Sequence, residues 1–241
     1  MTETTALDHL NTDDAVAPDF RVRVAQEKRT RMRARLLSAI LDIYLPNERG
    51  GAAVIDDVVQ KANVSRGTFY KYFDSLDEAV AALGQEMAAE MLLAFERLFS
   101  GNADPAIAAA AGTLLTLTRA AMEPRWAAFT ARVDFVVYLS QRNPMFEIVT
   151  HSLLRAKDAG FLHFSSIEAA ADFVIGVTLE GVRRAAHGHP CKRDYISEIA
   201  QMNMLGLGMA PTIAEQAVGN IWRELIEYAP NLSWWNEEAI N

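Results

Sequence analysis

One short stretch of the sequence contains most of the side chains that could bind another molecule. Between Ser65 and Tyr72, cations, hydroxyl groups and aromatic rims surround one apolar side chain, Phe69. These side chains suit DNA, because cations and hydroxyls pair with phosphates and the same groups reach base edges in a groove. The residues predicted to contact DNA from this stretch are Ser65, Arg66, Gly67, Thr68, Tyr70, Lys71 and Tyr72.

The elements around this stretch predict a helix-turn-helix over residues 54–73. Asn63 tolerates the left-handed backbone that a sharp helix end needs, and Ser65 is a strong N-cap for the second helix. Phe69 and Phe73 are four residues apart, so they share one helix face and are predicted to point into a core. The first helix has its own apolar face at helical spacing, formed by Val54, Ile55, Val58, Val59 and Ala62.

A dense run of cations precedes this motif. Residues 21–35 contain seven Arg or Lys and one Glu, and they lead into an amphipathic helix that ends near Pro46. One interpretation is a solvated helix face. The other is that the segment follows a phosphate backbone or enters a minor groove. Arg29 and Arg31 are the two residues of this run that are predicted to contact DNA.

The distribution of charge matters more than its total. The chain has a net charge of −8, which taken alone argues against nucleic-acid binding. Residues 1–20 contribute −5, residues 21–75 contribute +5, and the remainder contributes −8. A basic segment inside an acidic chain is the electrostatic pattern expected of a small DNA-binding part attached to a larger acidic one.

The motif resembles a known family. The run Ala62-Asn63-Val64-Ser65-Arg66-Gly67-Thr68-Phe69-Tyr70-Lys71-Tyr72-Phe73, followed by Ser75 and Glu78, is similar to the TetR family of bacterial transcriptional regulators. The resemblance at the level of motifs covers about residues 26–80. Beyond that range the family shares a helical fold but little sequence, so the comparison rests on length and helix count.

The resemblance implies an all-α protein with two parts. A disordered acidic tail (residues 1–20) would precede a three-helix helix-turn-helix DNA-binding head (residues 21–74), followed by a larger helical ligand-binding and dimerisation body (residues 75–241). The implied function is a dimeric repressor that binds a near-palindromic DNA operator and is released by a small, largely apolar effector. Two alternatives stay open: a regulator of this fold without a small-molecule effector, and a helical enzyme with a vestigial head.

Three positions depart from the family pattern. Ala53 and Val54 stand where the second helix usually begins with Thr or Ser, and Asn63 stands where the turn usually has Gly. Leu76 stands where the fourth helix usually carries a phosphate-binding Lys. Two phosphate contacts are therefore expected to be missing, equivalent to about two counterions of salt dependence per head.

The rest of the chain predicts further helices and no strand. Ser75 and Glu78 fit a capping box, and Asp104 with Pro105 fits a helix start. Gly176 and Gly181 inside one helix suggest close approach of another helix. The total is nine or ten helices, with those of the body over residues 75–99, 106–121, 125–140, 145–159, 167–186, 195–207 and 211–228.

The body contains the candidate ligand site and the candidate dimer interface. Aromatic side chains are spread over four consecutive helical segments, and helical bundles often hold apolar cavities with a few polar anchors. A homodimer is predicted through Ile167–Ala186 and Pro211–Tyr228. The residues predicted to bind the effector are Trp126, Phe129, Arg132, Val133, Tyr138, His151, Phe173 and Glu180.

Other chemistry finds little support in the sequence. His187, His189 and Cys191 are close together, but their spacing matches no structural zinc pattern, so no metal site is predicted. No catalytic triad order or nucleotide-binding fingerprint is present, so neither an enzyme nor a cofactor is predicted. The polar N-terminus, the single cysteine and the lack of eighteen consecutive apolar residues favour a cytoplasmic protein without a membrane partner.

Overall fold

The computed structural model describes residues 16–45, 53–99, 104–133 and 144–240, and in these ranges it contains ten α-helices and no strand. The all-α prediction is confirmed. The first four helices are α1 (Val16–Ile43), α2 (Ile55–Ala62), α3 (Arg66–Phe69) and α4 (Leu76–Phe99). The other helices are α5 (Pro105–Met122), α6 (Pro124–Arg132), α7 (Pro144–Asp158), α8 (Ile167–Ala186), α9 (Arg193–Gly206) and α10 (Pro211–Tyr228), with short 3-10 turns at Ala229–Asn231 and Glu237–Ala239.

Outside the helix-turn-helix, two helix boundaries differ from the prediction by several residues. The acidic tail was expected to extend to about residue 20, but α1 already begins at Val16, and residues 1–15 lie outside the described residues. The sixth helix was expected to reach residue 140, but it ends at Arg132. Val133 takes an extended backbone (φ −73°, ψ 122°), which breaks the helix, and residues 134–140 lie outside the described residues.

The head is built on a small apolar core. Leu36 and Ile40 of α1 and Val58 of α2 are fully buried, and Phe69 and Phe73 join them from the second half of the motif. Burial of a large apolar side chain contributes about 1.5–3 kcal/mol, so five such residues can hold α1 and the two short helices α2 and α3 together. The prediction that Phe69 and Phe73 point into a core is confirmed.

Side-chain caps fix four of the described helix starts, those of α3, α4, α5 and α8, where the sequence places them. The Asp104 carboxylate accepts the Ala106 N–H at 2.8 Å, and the Ser75 hydroxyl accepts the Glu78 N–H at 3.0 Å. The capping box at α4 is only half as predicted, because the Glu78 carboxylate accepts from the N–H of Asp74 (2.5 Å) rather than that of Ser75. Each such cap satisfies a backbone N–H that the helix itself leaves free.

Helix α5 is the central element of the body. It contacts α4, α6, α7, α8, α9 and α10, and it is long and apolar enough to cross a membrane by length and composition alone. The helix has no eighteen consecutive apolar residues, because Arg119 and three threonines interrupt it. Pro105–Met122 nevertheless qualifies by mean hydropathy, so the expectation of no candidate span is wrong for this helix. Because 72% of this window is buried inside the protein, its hydropathy is that of a core helix.

The two glycines of α8 have different surroundings. A Cβ at Gly181 would lie 2.5 Å from Cδ2 of Leu117 on α5, so this glycine allows α5 and α8 to approach closely. The prediction is confirmed at that position. Gly176 is exposed, and no heavy atom lies within 4 Å of the place where its Cβ would be. Among the described residues, Gly176 therefore has no neighbour at the Cβ position that would require a glycine.

The C-terminal segment is docked on the body. Trp234 is buried, and its ring lies 5.6 Å from the guanidinium of Arg119 on α5, with Trp126 near the same guanidinium at 5.1 Å. Arg119 is itself buried and pairs with Glu90 of α4 at 2.7 Å and with Glu123 at 3.1 Å. The tail thus covers the buried Arg119, whose ion pair with the more exposed Glu90 joins α4 to α5.

Candidate DNA-binding surface and ligand cavity

The turn between α2 and α3 is set by one residue with an unusual backbone. Asn63 has φ 51° and ψ 55°, the left-handed region that Asn reaches more easily than most side chains. The N–H of Val64 donates to the carbonyl of Val59 at 2.9 Å, which closes the end of α2 in the manner of a Schellman motif. Val64 is half-buried against the core. The predicted helix-turn-helix is therefore present, with Asn in the turn.

The second helix of the motif is shorter than predicted. Ser65 caps it through a hydrogen bond from the Thr68 N–H at 3.1 Å, but the regular helix covers only Arg66–Phe69. The chain continues as turns, in which the Lys71 N–H donates to the Thr68 carbonyl and the Phe73 N–H to the Phe69 carbonyl. These bonds keep residues 70–73 coiled in the same direction, so both phenylalanines still reach the core.

Most of the residues predicted to contact DNA lie on the outside of this motif. Tyr70 is 52% exposed, and Thr68 and Tyr72 are half-buried. The Thr68 and Ser65 hydroxyls are also hydrogen-bonded to each other at 3.0 Å, so each is already paired within the motif. The exposed members of the set are Ser65, Arg66, Gly67, Tyr70 and Lys71.

Arg66 is held in place by an acidic residue of α2. Its Nε donates to Asp56 Oδ1 at 2.5 Å, and its Nη2 donates to the other carboxylate oxygen. The hydrogen bond from Arg66 lowers the pKa of Asp56 below its ordinary value. Because both side chains are exposed, this fork orients Arg66 more than it stabilises the fold.

The basic run on α1 divides into two groups. Arg29 and Arg31 are exposed, as are Lys28 and Arg35. Arg33 instead turns toward the protein, where it pairs with Glu86 of α4 and its guanidinium lies 5.5 Å from the ring centre of Phe73. The exposed cations are available to phosphate, whereas Arg33 attaches α1 to α4 beneath the motif.

A cavity of about 130 Å³ lies in the body between α4, α5, α6, α7 and α8. Three of the residues predicted to bind the effector line it: Trp126, Phe129 and Val133. Trp126 and Phe129 lie on one face of α6 at the i, i+3 spacing of a helix, and Val133 follows at its C-terminal end. The aromatic pattern of the sequence therefore located one wall of the cavity.

Four other predicted ligand residues lie away from this cavity. Arg132, His151, Phe173 and Glu180 are exposed and do not line it. Glu180 forms an ion pair with Arg183 on the outside of α8, and the Phe173 ring lies against Gly206 of α9. Tyr138 lies outside the described residues.

Sequence reasoning missed the polar groups of the cavity, which are hydroxyls rather than charged groups. Asn203 Nδ2 donates to Thr113 Oγ1 at 3.1 Å, Thr113 lies 3.1 Å from Thr178 Oγ1, and the Thr178 hydroxyl donates to the Val174 carbonyl at 2.7 Å. Helical threonines are common, so no local signal separates these from surface ones. The other lining hydroxyls are Thr116, Thr130 and Ser152.

Helix α6 joins the cavity to the head. Arg125 Nη2 donates to the Ser38 carbonyl at 2.8 Å, and Arg125 Nε lies 2.6 Å from Asp42 Oδ1. Asp42 also forms an ion pair with Lys61 of α2, whose Nζ lies 3.5 Å from Asp42 Oδ2. The ring of Phe129, which lines the cavity, meets the ring of Tyr44 edge-on at 5.1 Å. The same short helix therefore lines the cavity on one face and contacts α1 on another.

The sequence neighbours His187, His189 and Cys191 do not converge. His187 Nδ1 lies 2.7 Å from the Arg183 carbonyl, His189 is exposed, and Cys191 is buried with its sulfur 3.9 Å from the Gly181 carbonyl. In the described ranges no group of three or more His, Cys, Asp or Glu side chains could hold a metal ion.

Cys191 should react slowly with thiol reagents in the folded protein. Burial raises the pKa of its thiol, which reduces the thiolate that attacks the reagent, and the side chain is 4% exposed. Mass spectrometry after iodoacetamide treatment should therefore show alkylation of the urea-unfolded chain well before that of the native protein. Equal rates in both states would contradict the buried position.

Comparison with known proteins agrees with this architecture. The family model for bacterial regulatory proteins of the TetR family matches residues 45–83. The crystal structure of RolR in complex with resorcinol superposes with a TM-score of 0.58 at 21% identity, covering 80% of this chain and 95% of that one. The gamma-butyrolactone receptor, an ArpA-like protein, gives a TM-score of 0.57 at 16% identity, covering 83% of this chain and 98% of that one.

Among curated protein sequences, none matches this chain. RolR without ligand also superposes, with a TM-score of 0.57 at 18% identity, covering 77% of this chain and 96% of that one. The family match covers the helix-turn-helix, and the structural matches cover most of the helical body. Residues 45–83 therefore match the DNA-binding part of the TetR family of bacterial regulatory proteins, and the chain as a whole has the helical fold of these solved structures.

Proposed function

We propose that this regulator is a homodimeric repressor that binds a near-palindromic operator in the cytoplasm and is released by a small, largely apolar effector. The observation that supports this proposal most directly is the course of α4. It begins at the Ser75 cap directly after the DNA-facing motif, and its residues Gly84, Met87, Met91 and Phe95 line the cavity. One rigid helix therefore meets both the head and the ligand space.

The head offers the chemistry that operator DNA needs. Arg66 and Lys71 supply cations, Tyr70 supplies an exposed aromatic ring with a hydroxyl, and Gly67 allows the backbone to approach a phosphate closely. Arg29 and Arg31 extend the basic surface along α1. A single head covers few base pairs, so specific binding is expected to need two heads about 34 Å apart.

A second copy of the chain is the occupant proposed for the outer faces of α8 and α10. Gly176 of α8 and Gly219 of α10 are exposed with open space around the Cβ position, so another backbone can approach both helices closely. Phe173 and Ile226 are exposed apolar side chains on the same two helices. The pairing of Ile167–Ala186 and Pro211–Tyr228 with their copies would bury these residues in a four-helix interface.

The effector is proposed to act through a population shift. A ligand releases the operator only if it binds better to a head spacing that does not fit the two half-sites. The cavity walls on α4 and α6 are the elements that sense it, since both helices also contact α1. The structure of RolR with resorcinol supports a small ligand for a body of this fold.

The direct test is selection of bound DNA from genomic fragments by the purified full-length protein, combined with light scattering to measure its mass. A recurrent near-palindrome, a dimeric mass and release by at least one small molecule are the expected results. A protein that selects no DNA sequence, or that is monomeric at micromolar concentration, would overturn the proposal. DNA selection without release by any compound would instead support regulation without an effector.

Lys71→Ala should weaken operator binding without a comparable loss of stability. The side chain is exposed at the end of the motif, and loss of one phosphate contact per head should reduce the slope of log K against log salt by about 1 per head. Fluorescence anisotropy over a salt series measures this slope. Lys157→Ala, an exposed cation on α7, provides the control, and equal slopes for both variants would place Lys71 away from DNA.

A further inference from the structure

We infer that the cavity takes a neutral compound of about one ring that carries a hydrogen-bonding group for the hydroxyl of Thr130. This inference rests on the proposed function, because it defines the chemical class of the effector for the same cavity. It depends on three features of the described residues: the volume of the space, the absence of charge on its walls, and one buried hydroxyl without a partner.

The volume limits the ligand to a small molecule. The space measures about 130 Å³, and an apolar protein cavity of about 150 Å³ is known to hold one benzene molecule. Met87, Met91 and Phe95 of α4 and Trp126 and Phe129 of α6 provide the broad apolar walls that a flat ring needs. A second fused ring would require these walls to move apart.

The walls exclude a charged ligand. None of the described lining residues is Asp, Glu, Lys, Arg or His. An ion that enters an apolar site without a counter-charge loses its hydration without compensation. The two arginines of α6 do not line the cavity either: Arg125 pairs with Asp42, and Arg132 is exposed. A neutral molecule is therefore the class of ligand that fits.

Thr130 supplies the polar anchor. It is 3% exposed, it lies on the α6 face that lines the cavity, and its hydroxyl has no hydrogen-bond partner among the described residues. The hydroxyls of three other helical threonines, Thr118, Thr150 and Thr178, each donate a hydrogen bond to the carbonyl four residues earlier. Buried hydroxyls are rarely left unpaired, so a ligand group is the partner that this position lacks.

Calorimetric titration of the full-length protein with matched compounds tests each feature. Phenol and toluene have nearly the same shape and differ in the hydroxyl, benzamide and benzoate differ in charge, and 1-naphthol adds a second ring to phenol. We expect phenol to bind more tightly than toluene, benzamide more tightly than benzoate, and phenol more tightly than 1-naphthol. Tighter binding of benzoate or of 1-naphthol would overturn the inference on charge or on size.

The Thr130→Val variant tests the anchor, because valine keeps the shape of threonine and removes the hydroxyl. Phenol affinity should fall about tenfold, the equivalent of 1.4 kcal/mol, whereas toluene affinity should not fall. Thr118→Val is the matched control, since Thr118 is a buried helical threonine that does not line the cavity. Equal phenol affinity in Thr130→Val and wild type would overturn the anchor.

The two proposals fail in different ways. If phenol binds with the expected dependence on Thr130 but leaves operator binding unchanged, the cavity chemistry stands and the release mechanism is wrong. If a charged or larger compound releases the operator and Thr130→Val responds to it like wild type, the regulatory function stands and this inference is wrong.

Discussion

Replacement of Phe69 by alanine should unfold the head, with a loss of about 3–5 kcal/mol in the free energy of unfolding. Phe69 is fully buried, and its ring centre lies 5.8 Å from that of Phe73 and 5.7 Å from that of Tyr70. A typical domain is stable by only about 5–15 kcal/mol, so a head of some fifty residues should not tolerate this cavity. Urea denaturation monitored by circular dichroism, with hydrogen exchange of the head amides, measures the loss.

The control is Tyr70→Ala, because Tyr70 is the next residue in the chain and is 52% exposed. It should weaken operator binding while the midpoint of urea denaturation stays close to that of wild type. If Phe69→Ala keeps protected head amides and wild-type stability, the core assigned to α1, α2 and α3 is wrong. If Tyr70→Ala destabilises the head as strongly as Phe69→Ala, the division between core and DNA-facing residues is wrong.

Helix boundaries were predictable where a local cap defines them. The bounds of α8 and α10 agree with the sequence prediction, because Ser166 caps one helix and Pro211 starts the other. The left-handed Asn63 and the Ser65 cap likewise depend on residues within one turn of the chain. Such features follow from the local chemistry of hydroxyl, amide and proline residues.

Boundaries set by the environment were not predictable. Helix α6 ends early, at Arg132, although no proline or glycine stands there. The helical pattern of apolar residues continues through Val136. The start of α1 at Val16 lies in a polar stretch that reads as disordered by composition. In the first case the apolar pattern predicts a longer helix, and in the second the polar composition predicts no helix.

The two candidate sites differ in how much the sequence reveals. The predicted DNA contacts other than Arg29 and Arg31 come from eight consecutive positions, so helix periodicity alone separates the buried Phe69 from the exposed Arg66 and Lys71. The cavity is assembled from five helices across about a hundred residues. Attention to ionisable anchors favoured His151 and Glu180, which are exposed, whereas the cavity presents uncharged hydroxyls that sequence periodicity cannot distinguish.

Communication between the two sites should pass through few contacts. Helix α6 is nine residues long, and it places Phe129 against the cavity and Tyr44 while Arg125 pairs with Asp42. Asp42 in turn pairs with Lys61 at the end of α2, one turn before the DNA-facing motif. A ligand that shifts α6 would therefore move α1 and α2 together. Coupling between the two sites requires such a group of helices with two alternative positions.

Arg125→Gln should separate ligand binding from operator release. Glutamine removes the charge that holds Asp42 and shortens the side chain that reaches Ser38, while the cavity walls stay in place. Coupling between two sites typically changes affinity by about 5–150-fold, and it is reciprocal. Phenol titrated with and without operator DNA should therefore show two affinities in wild type and nearly one in Arg125→Gln.

Arg183→Gln is the matched control for this experiment, because Arg183 is exposed on α8 and pairs only locally with Glu180. It should keep the wild-type coupling factor, and both variants should keep the wild-type affinity for phenol alone. A coupling factor in Arg125→Gln within twofold of wild type would show that α4 transmits the signal without α6. Loss of phenol affinity in Arg125→Gln would place the effect in the cavity itself, and the α6–α1 contact would then have no separate role in release.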